Sequence, residues 1–226
     1  MKTKALWLAA GLALAGAANA GTVSYSFGNP FETTEINQSG TLGLFDSNLG
    51  TLTGISLTFT GANTTDLTLT NNAAQQQRVT ATSLTDLYFN SSLAALDALI
   101  QAANPVISLS ATTGSVTLAA GQSQSFGPLA DADAITWDSM LNSILAAFTQ
   151  AGGGNFMLGC DSTSGISLIG GGGNVGSNQA TQAMCGATIT YTFDDAPPPT
   201  SVPEPAMPAL VGIAMLGLWA ARRRKS

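Results

Sequence analysis

The sequence predicts a mainly β protein built around an antiparallel β-sandwich with one or two short helices. Apolar and polar residues alternate with period two in several short segments, and turn-forming residues separate those segments. Charged residues make up only 9% of the chain, so that Ser, Thr, Asn and Gln supply most of its polarity. Threonine favours strands and solvates their outer faces. The 226 residues have room for one domain with a substantial core.

The strands are predicted where this alternation is clearest. The segments are 23–27, 52–60, 67–69, 79–84, 106–109, 116–118 and 188–193. Asn71 and Asn72 supply turn residues between two of them. Short strands at this spacing are typical of a sandwich of the jelly-roll or immunoglobulin-like kind, here predicted over residues 21–195.

Two segments change from strand to helix periodicity. Between residues 91 and 104, apolar side chains recur at helical spacing at Leu93, Leu96, Leu99 and Ile100. The same spacing recurs over 139–148, where Asp138 is a candidate N-cap and the glycines at 152–154 end the segment. We expect one or two short helices packed against the sheets or between them.

The first twenty residues have the three parts of a secretory signal peptide. Lys2 and Lys4 form a basic start, residues 5–17 are apolar, and Ala18-Asn19-Ala20 supplies the small residues that signal peptidase accepts. A transmembrane anchor is the alternative, but the apolar run is short and no basic residue follows it. We therefore expect a signal helix that is removed by cleavage after Ala20.

The other end of the chain has a Pro-rich linker, an apolar stretch and a basic cluster. The linker covers 196–202, and the stretch at 206–221 is predicted to be a transmembrane helix. Its length is roughly 24 Å at 1.5 Å per residue, which spans a bilayer core of about 30 Å only with snorkelling or local thinning. Positive charges stay on the cytoplasmic side, which leaves the central domain outside.

This tail resembles the PEP-CTERM sorting signal of Gram-negative bacteria over residues 203–226. The matching parts, in order, are the motif Pro203-Glu204-Pro205, the short helix and the cluster Arg222-Arg223-Arg224. The resemblance implies export, an inner-membrane intermediate, cleavage near the motif by exosortase, and release to the cell surface or the extracellular space. It also implies an association with exopolysaccharide and biofilm. A permanent C-terminal anchor remains the alternative.

The central region resembles the choice-of-anchor E domain, whose molecular role is not established. The similar segments are 49–58, 113–122, 127–129 and 187–193, so the resemblance spans most of residues 21–195. The apolar insertion at 91–104 and the helix-like segment at 139–148 depart from that pattern.

The charge distribution excludes nucleic acid as a partner. Between residues 21 and 202, Arg78 is the one basic residue among twelve acidic residues, which gives a net charge of −11. Phosphate backbones are bound through Lys and Arg, so they would repel this domain.

The two cysteines, Cys160 and Cys185, predict a disulfide because exported proteins mature in an oxidising compartment. A catalytic thiol is the alternative, but the chain has no histidine to activate it. The glycine runs at 152–154 and 170–173 have no neighbouring basic residue and indicate flexible loops, not a phosphate cradle.

Carboxylates are the remaining groups that bear on catalysis or metal binding. Close pairs such as Asp131 with Asp133 would suit a polysaccharide hydrolase, but so many acidic residues produce close pairs by chance, and we expect no enzyme. Calcium is a weaker alternative, with Asp131, Asp133 and Asp138 as candidate ligands in a loop. No other cofactor is expected.

Two functional roles remain for the domain. We expect a surface or matrix protein whose processing partners are signal peptidase and exosortase. The alternative is a carbohydrate- or calcium-binding surface module, in which Trp137, Tyr88 or Phe89 would stack on sugars, although scattered aromatic residues more often lie in a core.

Overall fold

The structure is a computed structural model that describes residues 20–196. The predicted signal helix, the linker after Ala196, the sorting motif and the predicted transmembrane helix at 206–221 lie outside the described residues. Within the described part, no helix is long and apolar enough to cross a bilayer.

Strands account for most of the described chain, together with one α-helix and two 3₁₀ segments. The strands are β1 (Ala20–Gly28), β2 (Glu32–Thr33), β3 (Asn37–Asp46), β4 (Gly50–Asn71), β5 (Gln77–Ser91), β6 (Ile107–Leu118), β7 (Ser123–Trp137), β8 (Thr149–Gln150), β9 (Gly154–Gly170) and β10 (Val175–Asp195). The α-helix is α1 (Ala94–Ala103), and the 3₁₀ segments are Ser139–Phe148 and Gly171–Gly173. The prediction of a mainly β chain with short helices is confirmed.

The strands form two five-stranded sheets that face each other across the core. Sheet A has the order β1-β10-β4-β7, with β2 also paired to β10, and sheet B has the order β6-β5-β9-β3-β8. All pairs are antiparallel except the two-residue pair of β3 with β8. The longest ladder joins β4 to β10, from Gly50 opposite Asp195 to Asn71 opposite Val175. This long ladder is the spine of sheet A.

The side chains between the sheets form two hydrophobic clusters of unequal size. The large cluster contains most of the aromatic residues, among them Phe45, Phe59 and Tyr191. The small cluster consists of Leu67, Leu69, Val79, Ala81 and Leu118. Both clusters draw residues from β4 and β5, so each of these long strands passes through both ends of the sandwich.

A buried layer of hydrogen-bonded polar side chains lies between the two clusters. The Asn63 amide donates to the Thr85 hydroxyl over 2.9 Å. The Thr65 hydroxyl pairs with those of Ser83 at 2.8 Å and Thr181 at 3.0 Å. Because β4 belongs to sheet A and β5 to sheet B, this polar layer joins the two sheets through their interior.

The sandwich is closed differently along its two sides. On one side β1 lies against β3, where the Phe27 ring packs so closely on Gly40 that a Cβ there would lie 2.1 Å from the ring. On the other side the Asp131 carboxylate of β7 accepts a hydrogen bond from the backbone N–H of Ser110 in β6, at 2.8 Å. One closure is therefore apolar and the other is a charge-assisted hydrogen bond.

The helix α1 lies where the apolar periodicity predicts it. Leu96 and Ile100 are fully buried on its inner face. The chain leaves the helix through Asn104, whose amide oxygen accepts from Phe89 N–H at 3.0 Å and whose amide nitrogen donates to Phe89 C=O at 2.9 Å. Through these two bonds, the side-chain amide of Asn104 pairs with the backbone of β5 as a neighbouring strand would.

The predicted helical segment at 139–148 is confirmed as a 3₁₀ segment, which is interrupted by non-helical dihedral angles at Ile144. Two details of the strand prediction are wrong. The segments 52–60 and 67–69 belong to the single strand β4, and 106–109 and 116–118 belong to the single strand β6. Strands β3, β7 and β9 were not predicted because apolar–polar alternation is interrupted or weak in them.

Candidate functional site

The two cysteines form a disulfide that joins the two sheets. Cys160 of β9 and Cys185 of β10 are both buried, with their Cα atoms 6.6 Å apart, and they are the pair that the sequence predicts. Gln38 lies beside the bridge, where its side-chain oxygen accepts from Cys185 N–H at 3.2 Å and its nitrogen donates to Pro30 C=O at 2.8 Å. Complete burial and fixed polar neighbours make this bridge structural.

The candidate calcium ligands lie on strand β7 and directly after it, and they do not converge. Asp131 and Asp133 belong to β7, so the prediction that they lie in a loop is wrong, and Asp138 follows the end of that strand. Asp131 accepts from Ser110 N–H and Ala132 N–H. Within residues 20–196, no three acidic or cysteine side chains form a group suited to a metal ion. Calcium binding stays a prediction.

The other two candidate carboxylates also accept hydrogen bonds from backbone N–H groups. Asp133 accepts from Ala134 N–H at 2.8 Å, and Asp138 caps the following 3₁₀ segment by accepting from Ser139 N–H. These two carboxylates therefore hold the local backbone of strand β7 and of the segment that follows it.

The three candidate stacking residues have different environments. Trp137 and Phe89 are buried, 7% and 1% exposed, and each makes an edge-to-face contact with Phe59 in the large cluster. Tyr88 points to the outer face of sheet B and is partly exposed. Among the three, only Tyr88 is positioned to stack on a ligand.

A shallow polar cleft, here called the Gly159 cleft, lies on the outer face of sheet B with a volume of about 400 Å³. It runs across β5, β9 and β3. The residues that line it are Asn37, Gln38, Ser39, Asn90, Ser91, Ser92, Met157, Gly159 and Cys160. Amides and hydroxyls dominate this lining, so the cleft presents both hydrogen-bond donors and acceptors.

Strand register sets the order of the side chains around the cleft. Asn90 lies opposite Gly159, and on the other side of β9 Gly159 lies opposite Ser39. The next row, two residues along the strands, places Tyr88 opposite Asp161 and Asp161 opposite Asn37. Rows of this kind are roughly 7 Å apart. Tyr88 therefore stands at the border of the cleft.

The side-chain amide of Asn90 lies close over Gly159. A Cβ at position 159 would lie 2.5 Å from the Asn90 side-chain oxygen, so a larger residue there would displace this amide. The Asn90 amide therefore forms part of the floor of the cleft. At the border of the cleft, the Asp161 carboxylate accepts a hydrogen bond from the Asn37 amide, which fixes both side chains.

Sequence reasoning missed Asn37, Ser39, Asn90, Met157 and Gly159 as site residues. Four of them lie on β3 or β9, which the periodicity did not identify as strands. The pair of Asn90 with Gly159 has no sequence signal, because the two residues are brought together only by the register of β5 with β9.

Other polar groups of the domain are engaged in its structure. The Glu35 carboxylate accepts from Ser164 N–H at 2.8 Å, and the Tyr191 hydroxyl donates to Gly43 C=O at 2.8 Å. Burial, together with the neighbouring Tyr25, raises the pKa of the Tyr191 phenol above its usual range. Tyr191 is therefore neutral at physiological pH and contributes to the core.

The comparison with protein families identifies the tail. Residues 201–225 match the family model of the PEP-CTERM protein-sorting motif. The chain contains a PEP-CTERM motif. The motif covers the Pro-Glu-Pro sequence and the arginine cluster that the sequence analysis singled out, and it supports an exported, cell-envelope-directed protein that is sorted by exosortase.

The other comparisons give no functional relative for the domain that precedes the PEP-CTERM motif. No curated protein matches the chain. A structure of the Gx strain of infectious bursal disease virus is similar to 84% of this chain at 13% identity and a TM-score of 0.19. The parasporin-2 toxin of Bacillus thuringiensis is similar to 79% of this chain and 73% of its own, at 11% identity and a TM-score of 0.18.

The chain spans 42% of the virus protein that it matches. A structure of mud crab dicistrovirus covers 91% of this chain and 84% of its own, at 14% identity and a TM-score of 0.14. Similarities at these TM-scores support no argument about the fold or the function of this protein.

Proposed function

We propose that this protein is a non-enzymatic component of the cell surface or extracellular matrix, associated with exopolysaccharide. The observation behind this proposal is the PEP-CTERM motif at residues 201–225. Under the proposal, signal peptidase cleaves after Ala20, exosortase removes the tail near Pro203-Glu204-Pro205, and residues 21–195 act as a domain of the choice-of-anchor E kind.

Three properties of the described domain support an extracellular role. Its two sheets are joined by a buried disulfide, which persists in oxidising compartments. Its outer surfaces have few charges, and rows of Thr and Ser hydroxyls cross sheet A, such as the exposed pair Thr58 and Thr136 at 2.8 Å. A hydroxyl-rich surface of this kind stays hydrated without charged side chains.

A binding role fits the described chemistry better than catalysis. The chain has no histidine, and the carboxylates of Asp131, Asp133, Asp138 and Glu35 accept hydrogen bonds from backbone amides. Such engaged carboxylates are poor proton donors and acceptors toward a substrate. The domain is therefore proposed to act through its surfaces.

Replacing Pro203, Glu204 and Pro205 with alanine tests the proposal in the native host. The parent protein should be recovered outside the cell with the exopolysaccharide, and the variant should stay in the inner-membrane fraction with its tail attached. A matched control replaces Thr200 and Ser201 with alanine and should behave as the parent. The same distribution for the parent and the motif variant would rule the proposal out.

A further inference from the structure

We propose that the Gly159 cleft is a binding site for a neutral polysaccharide chain; this inference rests on the proposed association with exopolysaccharide and names the surface that makes the contact. The cleft combines two polar side chains that have no hydrogen-bond partner among the described residues, Ser39 and Asn90, with a partly exposed aromatic ring at its border. These are the elements with which proteins bind sugars, whose rings present both C–H faces and hydroxyl edges.

The floor of the cleft presents polar groups to a ligand. The Asn90 amide lies over Gly159, is exposed, and makes no side-chain hydrogen bond with the residues that the structure describes. Ser39 is exposed on the opposite side of Gly159. An amide and a hydroxyl on adjacent strands provide a donor and an acceptor to neighbouring sugar hydroxyls.

A pair of less polar residues lies at opposite ends of the cleft. Tyr88 stands one row from Asn90 in one direction, and Met157, which is 51% exposed, stands one row from Gly159 in the other. Two rows separate these side chains along the strands, or roughly 13 Å. A sugar chain laid along the strands would contact Tyr88 and Met157 with its C–H faces and the floor with its hydroxyls.

The negative charge of the domain bears on the class of polysaccharide. Between residues 21 and 202 the chain has a net charge of −11, and the cleft itself borders the Asp161 carboxylate. Polymers rich in uronate or other acidic groups would be repelled by this field. The charge therefore favours a neutral chain over an acidic one.

The contrast with the other sheet supports this assignment. The outward positions of β4 include Thr58, Thr60, Thr64, Thr68 and Thr70, and those of β10 include Thr188, Thr190 and Thr192. The outward positions of these two strands, both of which are described in full, hold no aromatic ring, and several of their hydroxyls pair with hydroxyls of β1 and β7. On sheet B the partly exposed ring of Tyr88 lies one row from the Asn90 amide, which has no hydrogen-bond partner among the described residues.

The test uses the full chain, purified in detergent with its disulfide intact, and two probes. These are the neutral fraction of the host's own exopolysaccharide, separated by anion exchange, and alginate as a polyuronate. Affinity electrophoresis in gels that contain each probe gives the dissociation constants. The parent should be retarded by the neutral fraction and not by alginate.

Three variants locate the site. Tyr88→Ala should weaken binding about tenfold, because the ring contact is lost. Asn90→Ala should weaken it about fivefold, through one lost hydrogen bond. Gly159→Ala should resemble Asn90→Ala, since its Cβ displaces the Asn90 amide. The matched control is Leu84→Ala, an exposed outward residue of the same strand, which should bind as the parent.

Three results would overturn the proposal. The parent is not retarded by the neutral fraction, alginate binds as tightly as the neutral fraction, or Tyr88→Ala and Asn90→Ala bind as tightly as the parent. If the variants unfold at the same temperature as the parent, their loss of binding is a local effect at the cleft. Exosortase trimming of Tyr88→Ala in the host is measured separately and should be normal, so a failed binding site is distinguishable from a failed sorting assignment.

Discussion

The two ends of the sandwich are stabilised by different means, although β4 and β5 run through both. The large cluster contains packed aromatic rings such as Phe45, Tyr191 and Phe193, and it includes both cysteines of the disulfide. The small cluster has five aliphatic residues and no bridge. At its end Asn71 ties the loops together, donating to the carbonyls of Gln75, Leu118 and Ala119.

The difference between the two ends shows how strands with repetitive sequences keep their register. In β4, Thr recurs at every second position over much of the strand, so a slip by two residues against β10 would leave inward and outward faces unchanged. Specific buried pairs such as Asn63 with Thr85, and the covalent bond at Cys185, are not satisfied after such a slip. The polar layer and the bridge therefore select the register that hydrophobicity alone leaves open.

The largest expected effect comes from removing the disulfide. The double variant Cys160→Ala/Cys185→Ala should lose about 3.5 kcal/mol of unfolding free energy, the chain-entropy value for a closed loop of this size. Urea denaturation of the full chain measures this loss, with the parent after reduction as the comparison. A loss below about 1 kcal/mol would contradict the view that the bridge constrains the fold.

The next effect compares the same substitution in the two clusters. Leu57 and Leu69 are both completely buried on β4, in the large and the small cluster respectively. Replacing either with alanine should cost about 3 kcal/mol. Hydrogen exchange should show faster opening near the small cluster alone for Leu69→Ala, because that end lacks a bridge. Uniform acceleration in both variants would mean that the two ends unfold as one unit.

A smaller effect is expected in the polar layer. Thr65→Val keeps the shape of the side chain but removes the hydroxyl that pairs with Ser83 and Thr181. Leaving these buried groups without that partner should cost about 2 kcal/mol, measured by thermal unfolding. Thr68→Val, at an outward position of the same strand, is the control and should change stability little. Equal losses in the two variants would argue against a special role for the layer.

The smallest effect at neutral pH concerns Tyr191. Tyr191→Phe should cost about 1 kcal/mol through the lost hydrogen bond to Gly43. Burial raises the pKa of this phenol, so its contribution is fully present below the unfolded tyrosine pKa of about 10 and is lost as pH rises above it. The parent should therefore lose stability more steeply than Tyr191→Phe above pH 10 in urea titrations. Parallel pH profiles would contradict this assignment.

The sequence predicts the fold class, the helix α1 and the cysteine pair because each depends on local periodicity or composition. It does not predict β3, in which Leu42, Gly43, Leu44 and Phe45 are consecutive buried residues, or β9, in which the outward Met157 makes the segment 156–158 continuously apolar. The sequence identifies Tyr88 as a candidate for stacking on sugars. Most of the residues that line the Gly159 cleft, however, lie on these two strands. Register between distant strands is a tertiary property, so most of the cleft had no sequence signal.

Sorting by exosortase is tested most directly by the intact mass of the protein from its native host, with and without exosortase. In the parent strain we expect a species that begins at Gly21 and ends near Pro203, with the disulfide formed. The strain without exosortase should yield a chain that begins at Gly21 and keeps its tail to Ser226. A tail that extends to Ser226 in both strains would contradict sorting by exosortase and leave a permanently anchored protein.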